Sequence, residues 1–447
     1  MLDLTLQRAL FGFSCALTTH TPRAGARLLN ATVKPMVSNA VLRAAFLRRN
    51  QAVLDRVGEP RRVLVLSDIH LGDALITQGL IAAVRDFFPS AEIHYAVSRS
   101  SAALIEGHPD VTRLWPVYTG SLLPSGQDVS AVRDLMSATR CDLIVSACPS
   151  FARGNPLPRD GAVLDFVTHA PVLVRNEDAP TEPNHFLFQG HRFLAGLFSQ
   201  RWSPRRTDAV GGARIYFDDD AVDAADAYLE SAQASHRSPW VFLNPDGASP
   251  YTRPPEAVWR QALERVIQGG ATVFIGEGHT DAGVGVRLYD RLPLPLRDRT
   301  RVVPASTPVP AYAAMLDRMD AFVSGDTGPL HWGAARKISR TGRRAFRNRT
   351  AIFSLFGATP ARMSGYDSGR PGFLPAWQDA PSEAHVSHAP CQNITCLNKL
   401  LKTCAPARCF EGSSPLALAD AILRSVQTAG SARPAQSGPA GRAVTEG

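Results

Sequence analysis

Two short segments place acidic residues and glycines directly after an apolar run. In the first, residues 63–66 form a continuous apolar run, Gly72 and Asp73 follow, and an apolar stripe with helical spacing begins at Ile76. Open α/β sheets bind their ligands at the carboxyl ends of parallel strands. Asp73 is therefore predicted to face a cleft as a general base, with Asp68 and His70 as alternative bases. A helix cap is the other interpretation of Asp73.

The second segment follows the apolar residues 321–323. It contains Asp326, Thr327 and Gly328, and Pro329 begins a predicted helix that carries His331. The free N–H groups and the dipole at such a helix start can bind a phosphate. An ordinary capped helix with a packed His331 is the alternative.

Apolar runs alternate with helical patterns through most of the chain. Predicted strands cover 63–66, 92–97, 111–117 and 142–147, with helices at 75–88, 99–106 and 128–139 between them. Residues 183–198 form a further predicted helix and 199–212 a linker. A second series has strands at 240–244, 271–276, 301–304, 321–326 and 351–357, and ends in a helix from Pro415. This alternation indicates an α/β fold with two parallel sheets facing each other across a cleft.

The overall composition is that of a folded globular protein. The chain has 447 residues, 45% of them hydrophobic, and a net charge of +8. This positive excess suits an anionic membrane or another polyanion, and a basic surface without such a partner explains it equally well. The N-terminus lacks the basic region and the cleavage site of a signal peptide, and no apolar run is long enough to span a bilayer. These features, with an odd count of 7 cysteines, favour a cytoplasmic location.

Four segments, in order, resemble the family-nine glycosyltransferases, the bacterial heptosyltransferases that use ADP-heptose. They are SDIHLGDALITQGLIAAVRDFFPSAEIHYAV, NPDGASPYTRPPEAVW, SGDTGPLHWGAA and AIFSLFGATPARMSGY, and the likeness spans about residues 61–425. A dinucleotide oxidoreductase is disfavoured, because SDIHLGD has a single glycine where G-x-G-x-x-G is needed.

The resemblance implies the GT-B architecture, with two Rossmann-like domains, and an inverting transfer that requires no metal or other cofactor. Asp73 would be the base, and the N–H groups of Thr327 and Gly328 would stabilise the leaving diphosphate. The other residues that it implies for substrate binding are Gly72, Gly247, Ser249, Arg253, Asp326 and His331.

The resemblance also sets the expected organisation and partners. Residues 1–60 would be a basic helical extension, 61–205 the acceptor domain, 206–430 the donor domain and 431–447 a disordered tail. ADP-heptose is the expected donor and an envelope glycolipid such as the lipopolysaccharide core the expected acceptor, with no nucleic acid partner. A peripheral position on the inner face of the cytoplasmic membrane would suit that acceptor.

The sequence departs from the family pattern at three places. The phosphate-binding Lys of the family falls on Tyr251, and Arg253 is the nearest replacement cation. Gln78 and Gly79 stand where many members have a proline. An insert of residues 336–350 has no acid and could bind phosphorylated sugars or lipid head groups, or be a solvated loop; its cations are Arg336, Lys337, Arg340, Arg343, Arg344, Arg347 and Arg349.

Four cysteines near the C-terminus, Cys391, Cys396, Cys404 and Cys409, have a regular spacing. A structural Zn or Fe site, disulfides and plain buried thiols all stay open at this point. A metal there would favour an alternative function, the modification of an adhesin protein, which some members of the family perform. The loss of the family Lys favours another alternative, a GT-B scaffold without catalysis.

Overall fold

The computed structural model describes residues 50–67, 71–118, 126–147, 163–165, 212–232, 238–247, 249–278, 280–357, 361–387 and 405–431, together with the single residues 185, 187, 194, 197 and 359. Residues 1–49 and 432–447 lie outside this part, as does the predicted boundary near 205. The predicted N-terminal extension, tail and domain limits therefore stay predictions.

The first sheet is parallel, with the strand order β3-β2-β1-β4-β5. Its central strands are buried on both faces, which explains why they are continuous apolar runs in the sequence. The strands are β1 (Arg62–Leu66), β2 (Glu92–Ser98), β3 (Arg113–Tyr118), β4 (Leu143–Ser146) and β5 (Val163–Asp165). The helices between them are α1 (Leu71–Ile76), α2 (Gln78–Phe87), α3 (Arg99–Ile105) and α4 (Gly126–Thr139).

The second sheet is also parallel, with the order β13-β12-β10-β7-β8-β9. The order reverses between β7 and β10, so the carboxyl ends of these two strands flank the crevice where such sheets bind ligands. The strands are β7 (Trp240–Asn244), β8 (Thr272–Gly276), β9 (Thr300–Val303), β10 (Ala321–Gly325), β12 (Ala351–Phe356) and β13 (Ser382–Val386). The helices are α6 (Glu256–Gln268), α7 (Val284–Asp290), α8 (Leu294–Arg297), α9 (Val309–Met315), α10 (Gly328–Ala334), α11 (Ala361–Ser364) and α12 (Pro415–Ser431), and short 3-10 turns cover Leu316–Arg318 and Pro406–Phe410.

A small third sheet pairs β6 (Arg214–Phe217) with β11 (Arg336–Ser339) in parallel. Strand β6 leads into helix α5 (Asp219–Ser231). Its N-cap is Asp218, whose Oδ1 accepts a hydrogen bond from the N–H of Ala221 at 2.9 Å. Strand β11 forms the start of the insert, so the interpretation of the insert as a solvated loop does not hold for its first four residues.

Gln78 and Gly79 have clear structural roles. The Gln78 side-chain amide donates to the Arg214 carbonyl and accepts from the Arg214 N–H, both at 2.8 Å, and so binds one edge of β6. A Cβ on Gly79 would lie 1.7 Å from the Leu187 carbonyl oxygen. This close backbone approach explains a glycine inside a helix.

One apolar cluster is shared by the two large sheets. It includes Val63 and Leu75 from the first half of the chain and Phe242, Phe322 and Trp332 from the second. The halves are therefore packed against each other through apolar side chains. None of the helices in the described ranges has the length and apolar character needed to cross a bilayer.

Candidate active site

Gly72 and Asp73 lie in the first turn of α1, rather than in the turn before a helix as predicted. Gly72 is buried and Asp73 is half-buried. A carboxylate in the first helical turn is stabilised as an anion by the helix dipole. Asp68 and His70 lie outside the described residues, and their standing as alternative bases stays a prediction.

The second candidate segment lies between β10 and α10. Thr327 is extended and its side chain does not cap α10; its hydroxyl contacts the Ser324 hydroxyl at 3.0 Å and the Asn244 amide at 3.3 Å. The Ser364 hydroxyl donates to Asp326 at 3.0 Å. The Thr327 side chain leaves the start of α10 without a cap from its own N-cap residue, and the N–H groups at such a helix start can bind a ligand.

The two segments contact each other through glycine backbone. A Cβ on Gly72 would lie 2.8 Å from Gly328 Cα and 2.9 Å from Cδ2 of His331. Conversely, a Cβ on Gly328 would lie 3.2 Å from the Gly72 nitrogen. We call Gly72, Gly328 and His331 the inner contact. It brings the first turn of α1 directly against the start of α10.

The loop after β7 packs on the same turn. A Cβ on Gly247 would lie 2.8 Å from the Thr327 methyl group. Ser249 begins a tight turn, since its carbonyl accepts from the Thr252 N–H at 3.0 Å. Asn244, at the carboxyl end of β7, donates to the Asp246 carbonyl and to the Ser324 hydroxyl, both at 3.1 Å. The structure therefore places Gly247 against Thr327, with Ser249 in the same loop.

Arg253 lies beside this loop but is held by carboxylates. It donates to Asp281 at 2.8 Å and to the Gly247 carbonyl at 2.9 Å, and its Nε is 3.5 Å from Asp246. Tyr251, aligned with the family Lys, is buried in the apolar cluster of the second sheet. Through these contacts Arg253 stabilises the loop after β7. Its assignment as a phosphate ligand stays a prediction.

His331 belongs to a buried aromatic group. Its Nδ1 lies 2.9 Å from the Tyr366 hydroxyl, and the His185 ring packs 4.9 Å from the Tyr366 ring. Burial lowers the pKa of His331 to about 4, and burial together with His331 lowers the pKa of His185 to about 3. Both imidazoles are consequently neutral at pH 7.

Tyr366, Asn244 and Ser364 are contacts that sequence reasoning missed. Asn244 could have been found, because it is the polar end of an apolar strand next to the reversal in strand order. Tyr366 and Ser364 follow the FGATP segment, and their spacing contains no signal that would connect them to Asp326 or His331.

The insert is not a free basic surface. Lys337 is buried with its Nζ donating to the Gly333 carbonyl at 2.5 Å, and burial lowers the pKa of Lys337 to about 7. Arg344 pairs with Asp223, and Arg347 pairs with Asp320 at 3.3 Å. Several cations of the insert are therefore neutralised by burial or by carboxylates of the same chain. This weakens the interpretation of the insert as a binding site for lipid head groups.

Arg340 joins the two halves of the chain. It donates to the Ala103 carbonyl at 2.7 Å and to the Glu106 carbonyl at 2.9 Å, both at the end of α3. It also pairs with the carboxylates of Glu106 at 3.1 Å and Asp218 at 3.7 Å. We call Arg340, Ala103, Glu106 and Asp218 the outer contact.

Most of the predicted C-terminal cysteine site lies outside the described residues. Cys391, Cys396 and Cys404 lie outside them, and Cys409 is buried. Over the described ranges, no group of three or more His, Cys, Asp or Glu side chains is arranged to hold a metal ion. A metal at the four cysteines stays a prediction.

Solved glycosyltransferase structures are similar to this chain. A glycosyltransferase of family 9 from Veillonella parvula is similar, with a TM-score of 0.57 at 15% identity over 82% of this chain and 96% of that one. The ADP-heptose lipopolysaccharide heptosyltransferase II of E. coli has a TM-score of 0.48 and 14% identity, over 82% of this chain and 99% of that one. An E. coli heptosyltransferase solved with ADP has a TM-score of 0.46 and 15% identity, over 76% of this chain and 98% of that one.

No protein-family model and no curated protein matches the sequence. The chain has the fold of a family-nine glycosyltransferase. The predicted fold class, an α/β protein of GT-B architecture, is confirmed.

Proposed function

We propose that this protein is an inverting, metal-independent glycosyltransferase that moves a heptose or related sugar from ADP-heptose to an envelope glycolipid, the lipopolysaccharide core being the first candidate. The inner contact is the observation that carries the proposal. It packs the backbone of Gly72, the residue before the half-buried Asp73, against the start of α10, where the Thr327 side chain makes no capping hydrogen bond. The fold shared with a family-nine glycosyltransferase supports it.

The reaction that this arrangement suits is a single in-line displacement. Asp73 removes the proton of an acceptor hydroxyl as its oxygen attacks the anomeric carbon of the donor sugar. The bond from that carbon to the diphosphate oxygen breaks, and the electron pair leaves with the diphosphate. Backbone N–H groups of Thr327 and Gly328 stabilise the charge that develops there, and Asp326 binds hydroxyls of the donor sugar.

A panel of nucleotide sugars tests the donor. We expect ADP-heptose to raise the melting temperature most, because a ligand that binds only the folded state stabilises it by mass action. Asp326→Ala should abolish this shift. No shift with any nucleotide sugar would contradict a donor site.

Asp73→Asn tests the base. We expect donor binding to persist and the rate of transfer to fall at least about a hundredfold, the low end for general-base catalysis. Asp290→Asn, which changes an exposed acid at the end of α7, is the matched control. Transfer by Asp73→Asn at the control rate would remove Asp73 from the mechanism.

A donor-binding scaffold without catalysis is the second candidate. It is favoured by the burial of Tyr251 at the position of the family Lys and by the engagement of Arg253 with Asp246 and Asp281. The same two experiments separate the candidates. A scaffold would show the thermal shift, and no transfer would occur in either the wild type or the Asp290→Asn protein.

A further inference from the structure

The Tyr366 hydroxyl has a single role in the described structure. Tyr366 is fully buried, and its ring packs against His185 and, at 6.0 Å, against Trp377. Within the ranges that the structure describes, the one hydrogen-bond partner of its hydroxyl is Nδ1 of His331, at 2.9 Å. The orientation of this bond decides where the imidazole carries its proton.

The hydrogen bond between Tyr366 and His331 is more favourable when the tyrosine hydroxyl is the donor. If Nδ1 carried the proton, the hydroxyl would accept, and its own O–H would be buried without an acceptor. If the hydroxyl donates to Nδ1, only an oxygen lone pair is unused, which is the less costly defect. The proton of the neutral His331 ring then lies on Nε2.

The other edge of the ring faces the inner contact. Cδ2, which is bonded to Nε2, lies 2.9 Å from the position that a Cβ on Gly72 would occupy. The ring therefore has Tyr366 on its Nδ1 side and the Gly72 backbone on its Cδ2 side. Nε2 is therefore close to the start of α10, where the donor diphosphate is proposed to bind.

We propose that Tyr366 is a positioning residue, which holds His331 as a neutral Nε2–H donor directed at an oxygen of the bound nucleotide sugar. This inference rests on the proposed transferase function. A fixed N–H dipole at a buried site requires no reorganisation as charge develops on the leaving diphosphate. Tyr366 itself does not touch the substrate and acts through the tautomer of His331.

Nitrogen-15 NMR of histidine-labelled protein tests the tautomer without any substrate. The His331 signals are assigned by their loss in His331→Gln. In the wild type we expect an unprotonated Nδ1 and a protonated Nε2, and in Tyr366→Phe a shift of both signals towards a mixture of tautomers. Tyr228→Phe is the matched control, because it removes a hydroxyl that bonds the Val302 carbonyl at 3.0 Å on another face of the second half.

Transfer kinetics test the positioning role. Tyr366→Phe keeps the ring packing but removes the partner of the His331 Nδ1, so its melting temperature should fall by only a few degrees. Its kcat with ADP-heptose should fall about tenfold, less than the loss of a direct oxyanion donor. Tyr228→Phe should keep the wild-type kcat. A proton on Nδ1 in the wild type, or His331 signals unchanged by Tyr366→Phe, would contradict the claim that Tyr366 holds His331 in the Nε2–H tautomer.

The two proposals can fail separately. A changed tautomer with an unchanged kcat would reject the positioning role of Tyr366 and leave the transferase intact. The expected tautomers together with no transfer by the wild type would reject the transferase, and with it the positioning role.

Discussion

The two halves of the chain meet at an inner contact made of glycine backbone and a neutral imidazole, and at an outer contact made by one guanidinium. The inner contact is closely packed, with no room for a methyl group between Gly72 and Gly328. The outer contact is more open, since the Glu106 side chain is 66% exposed and that of Asp218 55%. Both join the same halves by different physical means.

The difference indicates which contact fixes the relative position of the two halves. A backbone contact between glycines fixes a distance, because any added atom must displace a neighbour. Exposed ion pairs allow several arrangements and contribute little to stability. We therefore expect the inner contact to govern catalysis and the outer contact to make only a small, salt-dependent contribution to stability.

Gly72→Ala should have the largest effect. The new methyl group would lie 2.8 Å from Gly328 Cα, so α1 and α10 must move apart. Because a misplacement of about 1 Å can lower a rate about a hundredfold, we expect a loss of that size in transfer from ADP-heptose. Gly369→Ala is the control, since its nearest neighbour would be at 3.7 Å. Equal rates for the two variants would show that the inner contact is open during turnover.

Acid should weaken the inner contact through His331. Its folded pKa of about 4 is below the ordinary value of 6.5, so the stability it contributes is complete above pH 6.5 and is lost as pH falls towards 4. Between pH 7.5 and 5, the free energy of unfolding of the wild type relative to His331→Gln should fall by about 2 kcal/mol. Urea unfolding at the two pH values measures this. A difference independent of pH would mean that the pKa of His331 is the same in the folded and unfolded protein.

Arg340→Ala should have the smallest effect. The ion pairs of Arg340 with exposed carboxylates are typically worth about 0.2–1 kcal/mol. Its hydrogen bonds to the Ala103 and Glu106 carbonyls add to this, so we expect a loss of about 1–2 kcal/mol in unfolding free energy. It should be smaller still in 1 M NaCl, where charges are screened within about 3 Å. Arg343→Ala, which removes an exposed side chain of the same insert, is the control. A loss above about 2 kcal/mol, or one that salt does not change, would reverse the ranking of the two contacts.

Elements with a strong local pattern could be predicted from the sequence. Strand β7 was predicted at 240–244 and is observed at Trp240–Asn244, because a fully buried strand is a continuous apolar run between breakers. The candidate residues after β1 and β10 were selected for the same reason, and their roles stay predictions. Parallel strands bring their carboxyl ends to one edge of a sheet, so a polar residue after such a strand is a meaningful signal.

Features that depend on distant partners could not be predicted. Strands β6 and β11 are short and basic at their first residues, and each is a strand only because the other pairs with it. Helix α5 was missed although Asp218 provides an N-cap, since its apolar stripe consists largely of alanine. The cations of the insert were interpreted as external because Glu106, Asp218 and Asp223 lie on elements far away in the sequence.

The pairing of β6 with β11 has a consequence for synthesis. The partners are about 120 residues apart, so β6 leaves the ribosome well before β11 exists. At roughly 5–20 residues per second, β6 waits about 6 to 24 s with an apolar Ile-Tyr-Phe edge and no neighbouring strand. Gln78 is made earlier and can bind the backbone of Arg214 from the start. Its amide closes only the edge of β6 opposite β11, because the Ala213 carbonyl, which later accepts from the Arg336 N–H, lies on the other edge. The β11 edge is therefore the one open to pairing with another copy of the chain during that interval.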